Sequence, residues 1–143
     1  MTNTLLSRAR VLNVLASAPA DEVIVFAEEL LEKLGEVRVL FNRSGLIVLS
    51  ATDSAQGAQF HLGEVLVSEA HVALETGHEG YGMCLGHDLV QALALAVIDA
   101  ALAAEQGAAA IAAFAQLQQA AQLAADERLL RQVEATRVEI ETF

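Results

Sequence analysis

The sequence predicts an α+β fold. Three observations carry that prediction: a helical apolar stripe over residues 21–34, an alternating period from Val37 to Leu85, and an alanine-rich helical stretch after Asp88. The expected architecture is one domain over residues 1–143, with N-terminal helices, a four-stranded antiparallel sheet, C-terminal Ala-rich helices and an extended C-terminal tail. At 143 residues roughly two-thirds of the unfolded surface can be buried, so a core needs no metal or disulfide. The lone Cys84 allows no internal disulfide in any case.

A first helix is expected from Thr4 to Ala16, with Leu5, Leu12 and Leu15 on one side, both arginines elsewhere, and Pro19 beyond its end. Arg8 and Arg10 before the run Val11 to Ala18 also resemble the basic and apolar regions of a signal peptide, but Asn13 interrupts the run and favours the helix. In the second helix Val23, Phe26, Ala27, Leu30, Leu31 and Leu34 follow the spacing of a buried stripe. Asp21 and Glu22 suit its N-terminal dipole, and Gly35 stops it. Val37, Val39 and Phe41 then alternate with polar residues, Asn42-Arg-Ser-Gly45 reads as a hairpin turn, and Leu46 to Leu49 as a second strand. A third strand spans Phe60 to Leu74 with a bend at Gly63, and a fourth runs from Tyr81 to Leu85 after the turn Thr76 to Gly80. Helix resumes at Asp88-Leu-Val-Gln91, which has the form of a capping box, and continues to Gly107. A further helix carries Ile111, Phe114 and Leu117 and reaches about Glu134. From Thr136 the residues alternate strictly, Val138 and Ile140 on one side and Glu139 and Glu141 on the other, so the tail is expected to be extended.

The formal charge is -11 and the pI about 4.6. Both argue against nucleic acid or an anionic membrane as partner, since each demands a cationic face. No Lys or Arg lies between Ser44 and Glu127, which leaves the middle of the chain without side chains to clamp a phosphate. The mean hydropathy of +0.44 is largely alanine: 17 of the 34 residues from Ala92 to Ala125. With Asp99, Glu105 and several Gln among them, no run resembles a membrane span, and the chain reads as a soluble cytoplasmic protein.

Several groups could carry chemistry. Gly80-Tyr-Gly-Met-Cys-Leu-Gly86 before a helix has some likeness to a dinucleotide loop, but the spacing is wrong and Asp88 would repel a phosphate; the glycines read more simply as a turn and a bend. Cys84, His87 and Asp88, with His78 upstream, contain zinc-ligand types, yet only one Cys-x-x-His pair exists, and a buried thiol beside a capped helix is the plainer reading. Cys84 with a histidine as a nucleophile pair has no local cation to lower the thiol pKa. Glu69 and His71 share a strand face, the geometry of an acid–base pair, which His61 joins only if the bend at Gly63 keeps phase. Asp99 within an apolar helix needs water or an arginine partner. Arg137, where helical spacing ends, either ties the tail to the body or meets a partner. No catalytic, cofactor or metal residue is assigned.

Arg10-Val-Leu-Asn-Val-Leu-Ala16, Phe60 to Val72, Gly80 to Asp88, Ala96-Val-Ile-Asp-Ala100 and Glu134 to Phe143 together resemble the PhnG family, the G subunit of the bacterial carbon-phosphorus lyase core complex. The resemblance implies assembly with the H, I and J subunits. It also implies that the G, H and I subunits act on MgATP and an alkylphosphonate, whose oxygen displaces adenine at the ribose anomeric carbon. The J subunit, a radical enzyme, later cleaves the carbon-phosphorus bond. The chemistry is attributed mainly to the I subunit, so this chain is expected to be an accessory subunit without its own cofactor. Its expected partner interface is Arg137, Val138, Ile140 and Phe143. The competing expectations are a small free-standing enzyme using Glu69, His71 or Cys84, and a homo-oligomeric interaction module.

Overall fold

A computed structural model describes residues 7–141, and side chains as far as Thr136. Two short helices, α1 (Arg8–Ala16) and α2 (Ala20–Leu34), lead into three strands, β1 (Val37–Thr52), β2 (Gln59–Leu74) and β3 (Glu79–Leu85); α3 (Leu89–Ala103) and the long α4 (Ala108–Glu141) follow. The Ser7 hydroxyl caps α1 by accepting from the Arg10 amide, so this helix starts at Arg8. The part of the expected first helix before Ser7 lies outside the described residues.

The sheet is an antiparallel meander in the order β1-β2-β3. It has three strands, not the expected four, because Asn42 to Gly45 do not turn. Arg43 lies opposite Glu69 and Ser44 opposite Ser68, and Gly45 is absent from the glycines with positive φ. Asn, Ser and Gly permit a turn without compelling one. Here β2 is long enough to pair with all of β1, and Arg43 and Ser44 each find a cross-strand partner.

Successive residues of β2 point to opposite faces. Ser68, Ala70, Val72 and Leu74 are buried against α3, while Glu69 and His71 face away from it. The core is closed by Leu15 of α1, Val23, Ala27 and Leu30 of α2, Leu95 and Ile98 of α3 and Ile111 of α4. Phe26 stacks on Phe114 with ring centroids 4.4 Å apart, which joins α2 to α4. Beyond Leu123 every described residue of α4 is exposed, so the outer half of this helix leaves the body. The tail is not extended as expected: α4 continues to Glu141. No Gly or Pro follows Gly107, so nothing in the sequence stops the helix. The expected grouping of Val138 with Ile140 was a strand pattern. Their side chains, that of Arg137, and the whole of Phe143 lie outside what is described.

Candidate functional site

Gly80-Tyr-Gly-Met-Cys-Leu-Gly86 is built for packing. A Cβ on Gly82 would stand 2.5 Å from the Ala92 carbonyl oxygen and from the Ala96 amide, and one on Gly80 would overlap the backbone of Ala96 and Ala100. Neither glycine has positive φ. The alanines at 92, 96 and 100 form one stripe of α3, so strand and helix backbones meet where side chains are smallest. Spacing alone suggested a turn and a bend; the matching alanine repeat was the signal for this contact.

Cys84 also points at α3, with its Sγ 3.5 Å from the Asp88 carbonyl oxygen, and burial pushes its thiol pKa up, with the Asp88 carboxylate adding to the effect. That environment suits a packed thiol and opposes a thiolate nucleophile. His87 lies against Ser44, and His78 against Thr76 in the turn before β3. Cys84 and Asp88 stay adjacent while the two histidines bond elsewhere, and among the described residues no group of three His, Cys, Asp or Glu side chains could hold an ion.

Asp88 does cap α3, accepting from the Gln91 amide at 3.0 Å. The reciprocal half of the capping box is absent: Gln91 reaches the Ala16 carbonyl instead, and the Asp88 amide donates to the Ser68 hydroxyl at 2.9 Å. Ser68, fully buried, is a hub that sequence reading missed. It donates to the Gly86 carbonyl and lies 2.8 Å from the Ser44 hydroxyl, which is 2.9 Å from His87 Nδ1. Since Ser68 spends its one proton on Gly86, Ser44 must donate to Ser68 and accept from His87.

The open face of the sheet carries the polar cluster. Glu69 accepts from the Arg43 guanidinium at 2.6 Å and from the Tyr81 hydroxyl, and Arg43 also stacks over Phe41, 4.4 Å from its centroid. These bonds hold the Glu69 carboxyl below its ordinary pKa, Tyr81 being the larger cause and Arg43 the second. Burial first, and the Glu69 carboxylate second, push Tyr81 up to about 12. His71 shares the face but turns away, to Glu79 at 3.1 Å, with its ring edge on Phe41. His61 does not join them. The register slips between Leu49 and Ser50, leaving Leu62 unpaired and His61 out of phase. Glu69 is thus held ionised by a cation and a phenol, the opposite of a carboxylate poised to exchange protons near neutrality. Arg43 and Tyr81 become visible only once β1, β2 and β3 are in register.

Asp99 meets Arg8, with one carboxylate oxygen on Nε and the other 2.9 Å from Nη2, and accepts from the Tyr81 amide at 2.8 Å. The buried carboxylate therefore has both an arginine and a backbone donor. The pair ties α1, β3 and α3 into one unit, and the hydrogen bond to Asp99 raises the Arg8 pKa. Among the described residues no helix is long and apolar enough to cross a membrane.

The family model described as Phosphonate metabolism protein PhnG matches residues 6–143. The chain is also 32% identical over 133 residues to the alpha-D-ribose 1-methylphosphonate 5-triphosphate synthase subunit PhnG of Rhizobium meliloti (strain 1021), an alignment covering 92% of this chain and 85% of that protein.

Proposed function

We propose, from the premise that the chain belongs to the PhnG family of phosphonate metabolism proteins, that it is an accessory subunit of a ribose 1-methylphosphonate 5-triphosphate synthase. The observation that carries this reading is the family match across residues 6–143. The site geometry supports it: the candidate acid–base carboxylate is locked in an ion pair, and the candidate thiol is buried with a raised pKa. In this reading the complex, a hetero-oligomer with the H, I and J subunits, takes MgATP and an alkylphosphonate in the cytoplasm and releases adenine. This chain holds no cofactor of its own. A triphosphate needs several cations or donors, and at net charge -11 with no Lys or Arg from Ser44 to Glu127, the chain leaves its binding to a partner. In this reading Arg137, Val138, Ile140 and Phe143, in the C-terminal segment of the sequence, contribute to the partner contact.

Size exclusion of the purified chain with and without the I subunit tests this. Co-elution is the expected result. A chain whose elution is indifferent to the I, H and J subunits would overturn it.

A further inference from the structure

The first half of β2 and the second half of β1 have no third strand. β1 and β2 pair from Val37 opposite Leu74 out to Thr52 opposite Gln59, whereas β3 pairs only with Val67 to Ala73. Leu46 to Thr52 and Gln59 to Leu66 therefore leave the sheet as a two-stranded ribbon. Its tip is tied by the Asp53 amide to the Ala58 carbonyl and the Gly57 amide to the Asp53 carbonyl, each at 2.7 Å.

Both faces of this ribbon carry exposed apolar side chains, with Glu64 opposite Val48 and the other polar residues confined to the outer end. Leu46 (62% exposed) and Val48 (58%) lie on the side of the sheet that α3 covers further in, and Ile47 and Leu49 lie on the other; Leu62 at the bulge is 63% exposed. An isolated two-stranded ribbon is marginal in water, and contiguous exposed apolar surface marks an interaction site. Its root, in contrast, is fixed to the body by the bonds joining Ser44, Ser68, Gly86, His87 and Asp88, so the ribbon is presented at a set angle. Such preorganisation lowers the cost of association.

The chain's surface exceeds that of a compact monomer. The chain exposes 9459 Å², against about 7,100 Å² for a compact monomer of 15.1 kDa. The surplus of about 2,400 Å² belongs to the projecting parts together, the ribbon and the outer half of α4 among them. Charge decides the occupant. From Leu46 to Leu66 the charged side chains are Asp53 and Glu64, both acidic, on a chain of net charge -11. A second copy would bring another -11 to the contact, which opposes self-association. A flat partner would leave one apolar face of the ribbon wet.

Resting on the accessory-subunit reading, we propose that the ribbon Leu46 to Leu66 is an insertion arm. It seats in an apolar cleft of a different subunit, closed on both faces of the ribbon and rimmed by cations that meet the acidic body.

The test is co-expression of the tagged chain with the other subunits of the synthase, followed by measurement of the partner protein recovered. Val48→Lys and Leu62→Lys, at exposed positions, are each expected to lower recovery about ten-fold or more, with the circular dichroism and monomeric elution of the isolated chain unchanged. Leu46→Ser is the milder exchange if a lysine unfolds the ribbon, and carries the same expectation. Val25→Lys, at an exposed site on α2, is expected to leave recovery at the wild-type level. Wild-type recovery by folded arm variants would overturn the arm while leaving the accessory-subunit reading intact. Failure of the unmodified chain to recover any partner would overturn both. An isolated chain that elutes as a dimer dissolved by Val48→Lys would overturn the arm in favour of a second copy.

Discussion

Asp99 is the residue on which three elements converge, because its buried carboxylate serves Arg8 of α1 and the Tyr81 amide of β3 from within α3. Removing one partner of such a pair strands the other groups, so Asp99→Ala is expected to cost about 3 kcal/mol of unfolding free energy in urea. A loss under about 1 kcal/mol would mean that water replaces the carboxylate at little cost. Tyr81, the chain's single tyrosine, offers a spectroscopic readout of the open face. Its folded pKa is raised from 10.0 to about 12, so the protonated phenol contributes stability that is complete below pH 10.0 and lost as pH rises through about 12. Glu69 has the opposite sign: its lowered pKa contributes stability present above 4.5 and lost as pH falls through the folded value. Phenolate absorbance is expected to rise with a midpoint near 12, and Glu69→Gln to lower that midpoint without returning it to 10.0, because burial is the larger cause. A midpoint unchanged by Glu69→Gln would mean that the bond to Tyr81 does not persist in solution.

At the scale of elements, the contact between β3 and α3 determines where the motif of residues 80–88 sits. Gly82→Ala would place a methyl group 2.5 Å from two backbone atoms of α3, neither of which is a flexible side chain that could swing aside. Overpacking of this kind is expected to cost about 3 kcal/mol, read from the denaturant midpoint. A variant as stable as the parent would show that strand and helix stand further apart. How much of this was legible in the sequence depended on whether the signal was local. The stripe of α2 was legible because Val23, Ala27 and Leu30 repeat at helical spacing and are buried, and so was the Asp88 cap on α3. The unbroken course of β1 was not, because the partners of Arg43 and Ser44, Glu69 and Ser68, lie 26 and 24 residues away. Asp99 was recognisable as a residue needing an arginine, but its partner lies 91 residues away in sequence. The alternation after Thr136 pointed to a strand, yet a chain end with no Gly or Pro continues as helix to Glu141.

The whole molecule is a body of helices on one face of a sheet, from which a ribbon and the outer half of α4 project. Leu123, Leu129, Leu130 and Val133 are exposed along that helix, as Leu46, Val48 and Leu62 are along the ribbon. A body that keeps its candidate thiol buried and its candidate acid–base carboxylate paired, while displaying apolar projections, is organised to join other chains. The measurement that tests this most directly is adenine release from MgATP and methylphosphonate by the synthase subunits, with this chain alone, omitted, and restored. The isolated chain is expected to release no adenine, the remaining subunits to be impaired without it, and its addition to restore the rate. Adenine release by the isolated chain, or a full rate in its absence, would contradict an accessory role.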